Sequence, residues 1–221
     1  MPTQSKVIFA GPAGQLEGIL HLPGTVPRAI AVVAHPLPTM GGTMENKVVS
    51  TLARTFVELG FAALRFNFRG VGESAGSYDQ GNGETLDAIA AASFMRGEFP
   101  NLPLIGAGFS FGGYVQARAA EELQPHKLVL VAPAVGRFDP STELRAGPST
   151  TLRTGMPHVP VDTLLVHGDL DEVVELDAVL HWARPQHLPI VVLAGAEHFF
   201  HGRLTQLRQI VLQHFAARGS E

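Results

Sequence analysis

Three short stretches of this chain hold residue types that perform acyl transfer when they meet. The first is Gly108-Phe109-Ser110-Phe111-Gly112, a serine set between two glycines. A serine hydroxyl is a poor nucleophile unless a base takes its proton, and the base in turn needs a carboxylate to orient it. The second stretch, Gly168-Asp169-Leu170-Asp171-Glu172, offers the carboxylates. The third, Gly195-Ala196-Glu197-His198-Phe199-Phe200-His201, offers two imidazoles. Their order along the chain is serine, acid, histidine. By itself G-x-S-x-G is weak: a chain this rich in glycine contains it by chance about one time in ten, as an ordinary strand-to-helix turn.

The hydrophobic pattern places each stretch at the end of a strand. Leu104–Phe109 is an apolar run, and helical spacing begins at once over Phe111–Leu123, so Ser110 stands at a sharp strand-to-helix turn. Gly108 and Gly112 suit that turn because a Cβ at either position would collide with a neighbouring strand or helix. The helix N-terminus favours negative charge developing beside Ser110. Thr163–His167 is the strand before the carboxylates, and Ile190–Leu193 the strand before the histidines.

The remaining elements supply the frame. Lys6–Ala10 and Gln15–Leu22 alternate and read as antiparallel edge strands. Ala29–Ala34, Phe61–Phe66 and Lys127–Ala132 read as buried strands. Met44–Leu59, with Thr43 as N-cap and Gly60 as its stop, reads as a helix, as do Glu84–Phe94, Val174–Ala183 and Leu204–Ala217. Strands alternating with helices imply an α/β fold: a doubly wound, mostly parallel sheet with helices on both faces. Its ligand site lies outside the carboxyl ends of the strands, where all three stretches fall.

One segment breaks this rhythm. Residues 134–160 show no apolar periodicity, and within them STELRAGP (Ser141–Pro148) is followed directly by STTLRTGM (Ser149–Met156). Two eight-residue units are too few and too short for a solenoid. The expectation is a surface loop insertion in a single domain over residues 1–221, with a cap over the site as the functional alternative.

Composition excludes several classes. The chain of 221 residues is 45% hydrophobic and 16% charged, which is not the make-up of a disordered chain. Sixteen basic against twenty acidic residues give a net charge of −4 with no basic cluster, so nucleic acid is not an expected partner. No apolar run approaches the ~20 residues of a membrane span, and the first ten residues lack the pattern of a signal peptide. The expected location is therefore cytoplasmic. Cysteine is absent, which removes disulfides, thiolate metal sites and cysteine nucleophiles together. The ten histidines include no HExxH or comparable cluster, so no metal is expected. His126, His181, His187 and His214 read as surface or loop residues. Gly70-x-Gly72 is a poor dinucleotide loop, because Ala75 stands where the third glycine would and no helix follows directly.

Taken together, the blocks resemble the α/β-hydrolase superfamily. GFSFGG, HGDLDEVV and GAEHFFHG look like its three triad blocks, and Ser…Asp…His is that family's order. Arg69-Gly70-Val71-Gly72-Glu73-Ser74-Ala75-Gly76 looks like a further block common in the superfamily. His35-Pro36-Leu37-Pro38, followed by Gly41-Gly42-Thr43-Met44-Glu45-Asn46-Lys47, is similar to the oxyanion loop of small, lid-less bacterial serine hydrolases related to dienelactone hydrolases. The resemblance spans the chain apart from the tandem octads.

The resemblance implies an α/β-hydrolase fold without a substantial lid, and a serine esterase acting on small or medium carboxylic esters without a cofactor. It assigns Ser110 as nucleophile and Asp171 as the acid, with Asp169, Glu172 and the more distant Asp139 as rivals. His198 is preferred to His201 as the base because it follows the glycine turn directly. One oxyanion donor is the N–H of Phe111. The other comes from the loop after the third strand, where Pro36 and Pro38 have no N–H and Leu37 is left between them. His35 either lines the floor or braces this loop. Met40 and Phe199 are candidate substrate contacts, and Phe109, Phe111 and Leu37 are further candidates for apolar walls. Thioester or short-peptide hydrolysis uses the same triad, cofactor-free haloperoxidase relatives share it, and a non-catalytic ligand-binding role is the alternative from another class. Either a monomer or a homodimer fits.

Overall fold

The computed structural model describes residues 1–136, 144–146, 150–152 and 157–216. Two antiparallel strands, β1 (Thr3–Gly11) and β2 (Gly14–Leu22), open the chain. The strand–helix alternation then runs β3 (Ile30–Ala34), α1 (Lys47–Glu58), β4 (Ala62–Phe66), α2 (Asn82–Glu98), β5 (Leu104–Phe109), α3 (Phe111–Leu123) and β6 (Lys127–Val131). Two three-residue strands, β7 (Leu144–Ala146) and β8 (Thr150–Leu152), follow. The chain closes with β9 (Leu164–Gly168), α4 (Leu176–Ala183), β10 (Ile190–Leu193) and α5 (Leu204–Ala216).

Eight strands form one sheet in the order β1-β2-β4-β3-β5-β6-β9-β10. It is parallel from β4 through β10, and antiparallel where β2 meets β4 and β1. This is the doubly wound sheet that the pattern implies. Successive residues of a strand point to opposite faces, so β3 sends Ile30, Val32 and Ala34 into one core and Ala31 and Val33 into the other. The first core is closed by α2, α3 and α4 through Ala88, Met95, Val115 and Trp182. The second is closed by α1 and α5 through Val49, Leu52, Phe56, Leu207 and Val211. Strands β3, β4, β5, β6 and β9 are buried along their whole length, as parallel strands covered on both faces must be.

Three helix starts differ from expectation, each for a local reason. α1 begins at Lys47, because Asn46 rather than Thr43 caps it: the Asn46 Oδ1 accepts from the N–H of Val48 at 2.9 Å. Thr43 Oγ1 instead accepts from Glu45 N–H in a tight turn. α4 begins at Leu176 rather than Val174, since the Val174 N–H is committed to Asp171 Oδ1 at 2.8 Å. α2 runs longer than its apolar face suggests, and the Glu84 carboxylate satisfies the N–H groups of Asp79 and Gly81 at its start. β10 forms an edge of the sheet, with Val191 and Val192 exposed.

Within segment 134–160, β7 and β8 pair with each other in a small antiparallel ribbon that sets Leu144 opposite Leu152. These leucines occupy the same place in the two octads, so the repeat pairs with itself. The remainder of the octads, the question of a cap, and Asp139 lie outside the described residues. Among the described residues no helix is long and apolar enough to cross a membrane.

Candidate active site

The turn between β5 and α3 presents Ser110 in a conformation that side-chain-bearing residues avoid, with φ +54° and ψ −119°. Neighbouring strands hold it there. The Ser110 N–H donates to Val131 O at 2.9 Å, and its carbonyl accepts from Gly113, Tyr114 and Ala134. The flanking glycines leave no room for anything larger. A Cβ on Gly108 would strike the Gly112 carbonyl, and one on Gly112 would lie 2.6 Å from the His35 carbonyl oxygen.

Ser110, Asp171 and His198 come together from three strand ends 88 residues apart at the widest. His198 Nε2 stands 3.0 Å from Ser110 Oγ, and Nδ1 stands 2.7 Å from Asp171 Oδ2. The Asp171 side chain is fully buried and that of His198 almost so. Burial alone would raise the Asp171 pKa. The hydrogen bond and charge of His198, with the N–H groups of Val174 and Val173, outweigh it, and the carboxyl is held below its ordinary value. An ionised carboxylate only accepts, so Nδ1 carries the imidazole proton and the Nε2 lone pair faces the serine hydroxyl.

Of the rival residues, Asp169 and His201 are occupied elsewhere. Asp169 Oδ1 accepts from Gly195 N–H at 2.6 Å, tying the acid loop to the histidine loop. Glu172 is exposed. His201 Nδ1 pairs with Glu197 Oε1 at 2.6 Å on the surface, away from Ser110. Asp87, by contrast, lies deep beside Arg69, with both carboxylate oxygens on the guanidinium at 3.0 and 2.8 Å.

Leu37 sits between its two prolines, and its carbonyl accepts from Met40 and Gly42. Among the described residues its N–H has no hydrogen-bond acceptor. Phe111 opens α3 next to Ser110, with its ring fully buried against Phe68, Tyr78 and Tyr114. It is therefore no wall for a substrate. Phe109 is also fully buried and packs beside His198 at 4.9 Å. Phe199 stands edge-on to His198 and is 42% exposed, while Met40 is 83% exposed. Gly72 faces the carboxylate of Glu17, which also holds Asn67 and the Glu73 N–H. Among the described residues no cluster of three His, Asp or Glu is placed to hold a metal ion.

One close neighbour escapes a local reading of the sequence. His167, fully buried, donates from Nε2 to Val174 O at 2.9 Å, and the same nitrogen lies 3.5 Å from Asp171 Oδ2. Its other nitrogen has no partner among the described residues. Burial lowers its pKa, opposed by the Val174 bond and the Asp171 charge. The signal that points to it is its place four residues before Asp171, in the run His167-Gly168-Asp169-Leu170-Asp171.

Comparison with known proteins places the chain among the α/β serine hydrolases. Residues 25–146 match the family model described as "Serine aminopeptidase, S33". An α/β serine hydrolase without lid from Xanthomonas campestris is 40% identical, with a TM-score of 0.83 over 97% of this chain and 94% of that one. An α/β serine hydrolase homologue from Coxiella burnetii is 38% identical, with a TM-score of 0.80 over 95% and 96% of the two chains. An uncharacterised protein of Rickettsia prowazekii is 33% identical over 208 residues, 88% of this chain and 82% of its own.

Proposed function

The chain belongs to the serine aminopeptidase S33 family of α/β serine hydrolases, and from that premise we propose that it cleaves small or medium carboxylic esters through an acyl-enzyme on Ser110. The observation that carries the proposal is the unbroken hydrogen-bonded chain Ser110 Oγ–His198 Nε2 and His198 Nδ1–Asp171 Oδ2, at 3.0 and 2.7 Å. His198 takes the hydroxyl proton as Oγ attacks the ester carbonyl. Asp171 fixes the imidazole tautomer and stabilises the imidazolium that forms. The N–H groups of Leu37 and Phe111 receive the developing oxyanion, a contribution of about 3 kcal/mol per donor in sites of this kind. The imidazolium then protonates the leaving alcohol, and water releases the acid by the same steps in reverse.

Small substrates are favoured by the likeness to the Xanthomonas campestris α/β serine hydrolase described as without lid. Met40 and Phe199 are the proposed contacts for the substrate's apolar part. The reading treats the chain as one catalytic domain with segment 134–160 inserted between β6 and β9. The family description favours a second reading, hydrolysis of short peptides by the same triad. An amine is a poorer leaving group than an alcohol, so it asks more of His198 as acid.

The test is labelling with a fluorophosphonate probe and peptide mapping, on wild type and on Ser110→Ala, followed by ester, thioester and peptide panels. Stoichiometric label on Ser110, lost in the variant, with turnover of short esters, is the expected result. A folded wild type that takes no label overturns the mechanism. Turnover of peptides in preference to esters transfers it to the second reading.

A further inference from the structure

The two proposed oxyanion donors lie on loops far apart in sequence, yet both rest on one residue. Phe68 follows β4 and is fully buried. Its backbone is anchored on its far side, where the next N–H, that of Arg69, donates to the buried Asp87 carboxylate at 3.0 Å. Its own N–H donates to His35 Nε2 at 3.1 Å. Its ring lies 4.6 Å from the His35 ring and meets the Phe111 ring edge-on at 5.7 Å.

His35 carries the connection into the oxyanion loop. Its Nδ1 stands 2.7 Å from the carbonyl oxygen of Pro36. A carbonyl only accepts, so Nδ1 bears the proton and Nε2 is left to accept from Phe68. Burial keeps the ring neutral, lowering its pKa to about 4 against the opposing Pro36 bond. The carbonyl of Pro36 belongs to the same planar peptide unit as the N–H of Leu37. In a trans peptide the C=O and N–H point in opposite directions, so fixing the oxygen aims the hydrogen. Gly42 lets the loop close over this unit, since a Cβ there would strike the Pro36 oxygen.

We propose that Phe68 and His35 are positioning residues that together set the relative placement of the Leu37 and Phe111 N–H donors. The inference rests on the hydrolase reading above. His35 acts on the Leu37 peptide through one hydrogen bond, and Phe68 acts on His35 through another and on Phe111 through its ring. Neither touches the substrate. A misplaced donor costs stabilisation where the oxyanion forms, not where the ester first binds, so kcat falls and KM holds.

The test compares wild type with His35→Phe, His35→Gln and Phe68→Leu on a short-chain p-nitrophenyl ester. It records kcat, KM, thermal midpoint and the Ki of a trifluoromethyl ketone that forms a tetrahedral adduct. His35→Phe removes both the Nδ1–H donor to the Pro36 carbonyl and the Nε2 acceptor for the Phe68 N–H, whereas the glutamine Oε1 restores only the acceptor. The expected result is a kcat loss of roughly 10- to 100-fold in His35→Phe, with KM within about twofold and the ketone weakened by a similar factor. His35→Gln, which restores the Phe68 bond but not the Pro36 bond, recovers only part of the loss, and Phe68→Leu loses kcat by about tenfold in the same pattern. If His35→Phe does not fold, Phe68→Leu and His35→Gln decide. An active wild type whose folded variants keep kcat, or lose kcat and KM alike, overturns the inference alone. A wild type that neither turns over esters nor takes the fluorophosphonate label removes the hydrolase reading and the inference with it.

Discussion

The Asp171 carboxylate divides its work between its own loop and His198. Oδ2 holds His198 Nδ1 at 2.7 Å, while Oδ1 accepts the N–H groups of Val173 and Val174 at 2.9 and 2.8 Å. One side chain thus both shapes the turn after β9 and selects the tautomer of His198. The two tasks separate under substitution, because only the first needs nothing more than an acceptor.

Asp171→Asn keeps an oxygen for the loop and sets an amide NH2 against the imidazole. The ring must then carry its proton on Nε2, where it can no longer receive the one on Ser110. A kcat loss on the order of 10⁴-fold is expected, with the thermal midpoint nearly unchanged. Asp171→Ala loses both tasks and should in addition destabilise the fold by about 1–2 kcal/mol. Ester kinetics and calorimetry on the two variants check this, and equal destabilisation by both would refute the division.

The strain at Ser110 gives a second expectation. A φ of +54° with ψ −119° costs a serine on the order of 1–3 kcal/mol, a cost that glycine escapes. Glycine loses up to about 1 kcal/mol of that gain through the freedom of its unfolded chain. Ser110→Gly should therefore be inactive yet more stable than Ser110→Ala by about 1 kcal/mol, as read from urea denaturation midpoints. Equal midpoints would mean that the strain is no larger than the roughly 1 kcal/mol that glycine loses through its unfolded chain.

Much of this was legible in the sequence where two local signals met. The change from an apolar run to helical spacing fell at Ser110, so β5 and α3 have the expected bounds. The acid and histidine loops followed from strands ending in glycine. Competition between nearby groups hid the rest. Thr43 and Asn46 both suit an N-cap, and only the folded loop shows Thr43 spent on Glu45. Phe68 and His167 act through contacts with His35, Phe111 and Val174, and such tertiary contacts leave no period in the sequence. The apolar run of β10 carries no polar residue to mark an exposed face, yet its place at the sheet edge leaves two of its valines in water.

Glycines of like appearance should respond oppositely. At Gly108 a Cβ would meet the Gly112 carbonyl and lie 2.6 Å from Gly113 N, backbone atoms that cannot yield without opening the elbow. Gly108→Ala should lower stability by about 3 kcal/mol or more, and activity with it. Gly97, exposed near the end of α2, has nothing within 4 Å of its Cβ position. Gly97→Ala should raise stability by about 0.5–1 kcal/mol with kinetics unchanged. Denaturation curves of the two variants decide the point, and a tolerated Gly108→Ala would show that the elbow is looser than its packing implies.

Stability should also fall in mild acid, and the buried histidines say where. His35 and His21 each have a pKa lowered from 6.5 to about 4: burial is the main cause in both, joined at His21 by the neighbouring Arg65. His167 is lowered in the same direction by burial. Between these values the unfolded chain binds protons that the folded chain refuses, so stability is complete above about pH 6.5 and declines as pH falls toward 4. His35 alone accounts for about 3 kcal/mol of that decline. Asp171, whose pKa is lowered, adds a loss only in stronger acid, as pH falls through its folded value. Urea denaturation at pH 7.0, 5.5 and 4.5 measures the slope. His35→Gln, which has nothing to titrate there, should show a shallower one. A wild type equally stable at all three values would mean that these rings take up protons in the folded state without cost.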